Sequence, residues 1–425
     1  MGGMLSQRLL SVPIPKMFSV RQIFPRDLIP QEEIPDKMQK ILIQPKAASK
    51  IKERMRIAIT AGSRGIADKP LILKCIVNFV KKCNAIPFIV PCMGSHGGAT
   101  AEGQKGLLAD LGITEEYCGC KIHSSMETVC IGNTEEGKKV YIDANAASAD
   151  GIILVNRLKP HTGYRGPYES GLMKMMAIGL GKQYGAEQCH DSGFKNMAVN
   201  VPSFGKAILK HAKILFGVAI IENSYDETCK LELLAAEEIA DKEPALLKKA
   251  SNLMPRILVD SCDVLIVDKI GKNFSGGGMD PNITGTWHTP YGGGGIRAHR
   301  VAVLDISEES HGNAHGIGGA NATTRRLFEK IDYDATYMNG LTAMLMSPGR
   351  IPWILDNDKE AIQMCLLNCE EGDAQNRRVV RIPNSLHLER IILSEAYYDE
   401  VKHIPEIEIL DSPHETLFNE SNNLF

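Results

Sequence analysis

No apolar run in this 425-residue chain is long enough to span a membrane. The N-terminus, MGGMLSQRLLSVPIPKMF, lacks a continuous apolar core and a clear cleavage site, so no signal peptide is expected. Met1-Gly2 with Ser6 fits the short myristoylation pattern, but such a pattern arises readily by chance and no second membrane signal accompanies it. No basic field is present. The net charge is −3, which argues against a nucleic-acid partner. There is no Walker motif, no G-x-G-x-x-G and no internal repeat. The eleven cysteines are odd in number and scattered, many in apolar runs, which points to mostly buried thiols in a reducing, cytoplasmic setting. Cys118-Gly-Cys120, the only tight pair, has the wrong spacing for a zinc knuckle or redox motif and reads as structural or incidental.

What is present describes a globular protein, 44% hydrophobic and 23% charged. The length exceeds one ordinary core, so two domains are expected, residues 1–255 and 256–425, with the boundary near Asn252–Cys262. Residues 1–55 are Pro-rich and read as irregular, with one helical segment around Asp36–Ile43. The order then becomes strand, Gly-rich turn, helix, repeated: RIAIT at 56–60, a helix over 69–83, a strand at 86–90, a helix from Ala101, and GIILV at 151–155. Thr128–Ile131 and Lys139–Ile142 read as a strand pair. In the second region, DVLIVD at 263–268 and Val301–Ile306 read as buried strands, and the tail after Pro413 as frayed. The fold class is α/β: two α/β domains with mainly parallel sheets, the active site in the cleft between them.

Such sheets bind ligands at the carboxyl ends of their strands. The turns there carry Gly62-Ser63-Arg64, Gly94-Ser95-His96-Gly97-Gly98, and a loop from Lys159 to Pro167 with His161 and Arg165. Two histidines at corresponding turns suit general acid–base work, because imidazole titrates near neutrality; each alone is equally a loop residue bonding a carbonyl. Lys174 lies among Leu172, Met173, Met175 and Met176, where an ammonium needs a partner, a lowered pKa or a route to the surface. His190 follows an apparent break at Gly185 and suits a late first-row metal or the core equally; its neighbour Cys189 reads as packing. In the second region, Lys272, Asn273, His311 and Asn313 sit in polar loops after buried strands and suit substrate hydrogen bonding. Asp280 reads as a cap before Pro281, and Thr336–Asn339 as a polar stretch after a helix.

The order His96, His161, Lys174, His190 resembles the nickel-dependent lactate racemase family, over about residues 50–250. The resemblance implies a nickel-pincer nucleotide, a nicotinate-derived mononucleotide with two thio-acid arms, tethered through Lys174 and with His190 on the nickel. It further implies that His96 and His161 are the alternating acid and base, and that Arg64, Ser63, Gly62 and Ser170 help hold the cofactor. The C-terminal region shows no match to the family's substrate-contacting residues, and Arg165, Lys272, Asn273, His311 and Asn313 are candidate substrate contacts from the loops themselves. The family's tight Ser-Gly-Gly-Arg-Lys run is absent; Glu169-Ser170-Gly171-Leu172-Met173-Lys174 stands in its place, which marks a divergent paralogue. The implied activity is racemisation or epimerisation of a 2-hydroxy acid, a sugar acid included, by hydride transfer. The implied partners are that substrate and the proteins that make the cofactor, with no nucleic acid and no membrane. An oxidoreductase or dehydratase on the same scaffold, or a non-catalytic carrier of the cofactor or a sugar acid, are the alternatives.

Overall fold

A computed structural model describes residues 4–191, 193–370 and 372–425, which leaves the Met1-Gly2 start outside it. Among the described residues no helix is long and apolar enough to cross a membrane. The chain divides into two compact units, residues 25–254 and a second made of residues 1–24 with 255–425.

The 25–254 unit is built on six strands in the order Lys121–Ile122, Ile86–Pro91, Arg56–Ala61, Gly151–Arg157, Ile214–Glu222, Thr228–Ala235. All neighbours are parallel except the last pair. Runs such as Ile57-Ala58-Ile59-Thr60-Ala61 are apolar on both faces because helices cover both. Ala58, Phe88, Ile152 and Leu154 pack into one cluster, while Ile57, Ile59, Ile89 and Ile153 pack into another. The register sets Ala61 level with Pro91, so the turns after these strands emerge side by side. Arg56–Ala61 leads to Ile86–Pro91 on one flank and later to Gly151–Arg157 on the other, so the strand order reverses beside it. A crevice at such a reversal is the ligand position of open parallel sheets. The expected pair is present as an antiparallel hairpin, Thr128–Asn133 with Lys139–Asp143.

The second unit holds an eight-stranded sheet, ordered Trp353–Leu355, Ala322–Thr324, Arg297–Ile306, Ser261–Ile270, Val379–Ile382, Arg390–Ser394, Met17–Gln22, Ile407–Ile409. The first five are parallel and the rest antiparallel. Here the expected domain limits are corrected. The boundary falls between Met254 and Pro255, inside the expected window, but the N-terminal segment belongs with the C-terminal part. Its strand Met17–Gln22 is hydrogen-bonded on both sides, to Arg390–Ser394 and Ile407–Ile409. The buried amide of Gln22 donates to the carbonyl of Leu388 at 2.7 Å, and Gln363 donates to the carbonyl of Val12 at 2.8 Å. Proline-rich flanks conceal this strand, whose partners lie more than 360 residues away.

The tail is also corrected. His414 exchanges backbone hydrogen bonds with Met17, the Leu424 amide donates to Asp358, and the Arg326 guanidinium lies over the Phe425 ring at 4.6 Å. Thr336–Asn339 follows the helix Arg325–Glu329, as expected, and itself lies inside a second helix, Tyr333–Thr342.

Phe18 is fully buried and meets the Tyr398 ring edge-on at 5.1 Å. Phe18→Ala should therefore lower the stability of the second unit by about 3–5 kcal/mol, read as a shifted urea midpoint. A shift within 0.5 kcal/mol would mean that the N-terminal strand is dispensable.

Candidate active site

Each turn at the carboxyl edge of the 25–254 sheet is held by buried polar groups. The ammonium of Lys69, 2% exposed, donates to the carbonyls of Gly62 at 2.5 Å and Arg64 at 3.1 Å, closing the first turn. Burial, and then repulsion from Arg157, lower its pKa to about 7. Ser63 Oγ and His96 Nδ1 lie 2.5 Å apart, joining the first turn to the second. Gly62 has no room for a side chain without pressing on Met175, since a Cβ there would lie 3.2 Å from Met175 Cε. The first turn therefore touches the segment that carries Lys174.

In the second turn Gly97 has φ +68°, and a Cβ there would fall 2.6 Å from the backbone of Gly103, so only glycine fits. Thr100 then caps the helix Ala101–Asp110 by accepting from the Gly103 amide. His96 itself is exposed.

The third loop is closed at its base, where Lys159 and Ser170 exchange two backbone hydrogen bonds. Glu169, 5% exposed, organises its interior. Its carboxylate accepts from the amides of His161 at 2.6 Å and Gly166 at 3.2 Å, and pairs with Arg165 at 3.2 Å. Arg165 also donates to the carbonyl of His161, so the structure places it as a brace of this loop. The Gly163 amide donates to His161 Nδ1 at 2.9 Å, which makes that nitrogen the acceptor. The neutral ring then carries its proton on Nε2. Burial, followed by the positive charges of Lys174, His190, Arg165 and Arg64, holds the His161 pKa well below its usual value.

Lys174 ends a short helix, Leu172–Lys174, that runs into a π-helical stretch, Met175–Leu180, and then an α-helix, Lys182–His190. The helical run from Leu172 ends at Leu180 with Gly181 as its cap, the chain bends there into a second helix, and Gly185 is no break. It lies inside the last helix, where a Cβ would meet the Tyr141 carbonyl at 2.9 Å. The bend matters because an unbroken α-helix would hold residues 174 and 190 about 24 Å apart. Here the positive charge of Lys174 is one cause of the lowered pKa of both His161 and His190.

Lys174 is half-buried, and among the described residues it has no hydrogen bond or ion pair. Burial, then Arg64, depress its pKa to about 8, with Cys189 and Glu169 opposing. Roughly one molecule in ten then holds it as a free amine at pH 7. Arg64 is exposed; the surrounding protein and Arg157 lower its pKa to about 10, which solvent at its side chain screens, and it stays charged. His190 Nδ1 donates to the carbonyl of Ala186 at 2.8 Å, one turn back, and this leaves the Nε2 lone pair available. Cys189 is fully buried, which pushes its thiol up to about 12 and fits packing rather than ligation.

Ser63, Gly62, Arg64, His96, His161, Lys174, Ser170 and His190 are thus carried by one edge of one sheet. Lys272, Asn273, His311 and Asn313 belong to the other unit, in the loops after Ser261–Ile270 and Arg297–Ile306. Lys272 donates to the Gly276 carbonyl and to Asn339, Asn273 accepts from Ser307 Oγ at 2.7 Å, Asn313 donates to the Ala335 carbonyl, and His311 is exposed. Asp280 caps Pro281–Thr284 as expected.

Sequence reasoning overlooked Lys69, Glu169, Glu243 and Lys182. Glu243, 1% exposed, accepts from the Met173 amide at 3.0 Å and also from Leu172, capping the segment that bears Lys174. A Cβ on Gly171 would strike it at 2.2 Å. The only trace of this in the sequence is an acidic residue in a helix next to Pro244.

With this geometry in place, residues 5–199 match the family described as lactate racemase N-terminal domain. Over those residues the chain is similar to the lactate racemase family. Its fold is similar to that of the lactate racemase apoprotein from Thermoanaerobacterium thermosaccharolyticum, with a TM-score of 0.51 and 15% identity over 87% of this chain and 98% of that one. At that identity the likeness speaks for the fold. No curated protein matches the chain. The family match ends inside the helix Met197–His211, just beyond His190 and the His161 loop.

Burial raises the Glu243 pKa to about 7, against the two amide bonds that lower it. A carboxyl raised above its unfolded value near 4.5 stabilises the fold most below that pH, and this contribution is lost as pH rises to about 7. Glu243→Gln should remove up to about 3 kcal/mol of that pH dependence, measured by urea unfolding at pH 5 and pH 7.5. Parallel pH profiles for the two proteins would place the Glu243 titration elsewhere.

Proposed function

We propose that this protein is a racemase or epimerase of a 2-hydroxy acid that works with a nickel-pincer nucleotide held by Lys174 and His190. The observation that carries the reading is the pairing of an unpartnered, low-pKa Lys174 with a His190 tied through Nδ1 to the Ala186 carbonyl, which leaves Nε2 for a ligand. Among the described residues no group of three or more His, Cys, Asp or Glu could hold a metal ion. A metal held there by one histidine therefore needs donors from outside the protein, and a tethered organic ligand would supply them. When bound, such a group would supply hydride chemistry at the substrate α-carbon.

The protein's own part is position and charge. Arg64, Lys174 and Lys69 make the edge electropositive, which suits a carboxylate or phosphate, and Arg64 offers a bidentate fork. His161 presents Nε2–H to a substrate hydroxyl oxygen, and it can take up a proton at Nδ1 only by giving up the Gly163 bond. His96, bonded through Nδ1 to Ser63, can exchange a proton at its other nitrogen. Two such groups are required because substrate and product are mirror images at one carbon.

His96→Ala and His161→Ala should each lower turnover by about 10²–10⁴-fold while substrate binding persists, followed by chiral chromatography of a hydroxy-acid panel. Unchanged turnover in either variant removes that histidine from the reaction. Peptide mapping of native protein should find a mass adduct on Lys174. His190→Ala should lose nickel yet keep that adduct, and nickel retained at the wild-type level would exclude His190 as ligand.

A further inference from the structure

The buried lysine that the mechanism leaves unexplained is Lys182. Its side chain is fully buried, and its backbone is left-handed at φ +53°, a conformation that side-chain-bearing residues seldom adopt. It stands at the bend between the π-helical stretch and the helix that ends in His190. Three oxygens surround its ammonium: the Pro91 carbonyl at 2.6 Å, Gln104 Oε1 at 3.1 Å and Asp143 Oδ2 at 3.2 Å. A buried ammonium so surrounded is compensated, whereas removing it would leave Asp143 as an unpaired buried charge.

Two of these oxygens lead to the same place. Pro91 ends the strand from which the His96 turn departs. Gln104, fully buried, uses its other end to donate to the carbonyls of Gly94 at 2.9 Å and His96 at 3.2 Å. The third, Asp143, ends the hairpin on which the Lys182–His190 helix rests. The bent segment approaches both neighbours at backbone distance, since a Cβ on Gly179 would lie 2.9 Å from the Cys92 carbonyl and one on Gly185 would lie 2.9 Å from that of Tyr141.

The geometry points to Lys182, acting through Gln104 and anchored by Asp143, as the positioning residue that holds the His96 turn in register with the segment carrying Lys174 and His190. The same ammonium sets the bend in the helix and the place of the turn, so the acid–base group and the proposed tether and ligand are aligned by one buried contact. This rests on the role proposed above for His96, but it can be tested apart from that role.

The test uses full-length protein with ¹⁵N-labelled histidine, the His96 ring being assigned by comparison with His96→Gln. Gln104→Leu and the double variant Lys182→Met/Asp143→Asn, which removes the buried charge pair together, are compared with wild type. In either variant the His96 ring nitrogens should move from the single Ser63-bonded form toward the mixed tautomers of free histidine. Amide exchange over 92–104 should rise at least tenfold, with that of Leu154 and Val155 unchanged. Any folded variant that keeps wild-type His96 shifts and wild-type exchange over 92–104 overturns the inference. Should the double variant fail to fold, Gln104→Leu decides the matter alone. A His96→Ala protein with normal turnover would instead refute the acid–base reading and leave this one standing.

Discussion

Parallel pairing of Arg56–Ala61 with a strand on each side is the constraint on which the rest depends. It makes three chain segments, far apart in sequence, end at one edge and point the same way. Because Ala61 and Pro91 share a level, Ser63 reaches His96 directly. The reversal of strand order opens the place where the third loop and the Lys174 segment pack. Without this pairing the basic and imidazole groups would belong to unrelated turns.

The turns are then stiffened by buried charge rather than by apolar packing alone. Lys69 closes the first, Lys182 the second through Gln104, and Glu169 the third. Glu243 caps the segment that carries Lys174. Each is a costly group to bury and is compensated by two or more hydrogen bonds or ion contacts. The outcome is a set of loops whose backbone is fixed while their outward groups, His96 and Arg64, remain accessible.

The likeness to a lactate racemase of known structure extends over most of the chain at low identity, and the family match covers the N-terminal part. The fold has therefore persisted while side chains diverged, as expected when a parallel core tolerates hydrophobic exchange. Ser170-Gly171-Leu172-Met173 precedes Lys174 in this chain, and a π-helical stretch follows it. π-Helical turns recur at functional sites because they add a residue without ending the helix.

By itself the sequence determined the elements. Apolar runs bounded by glycines marked the strands Arg56–Ala61, Ile86–Pro91, Gly151–Arg157 and Ser261–Ile270, and the ordered histidines and lysine marked the candidate edge. Periodicity is a local property, so local reading suffices for it. Tertiary structure alone decided that residues 4–24 complete the sheet of the far end of the chain, that the tail is packed, and that Gly185 lies inside a helix. It also revealed the roles of Lys69, Lys182, Glu169 and Glu243. A strand's partner and a buried ion's acceptors lie at arbitrary sequence distance, and no pattern in neighbouring residues encodes them.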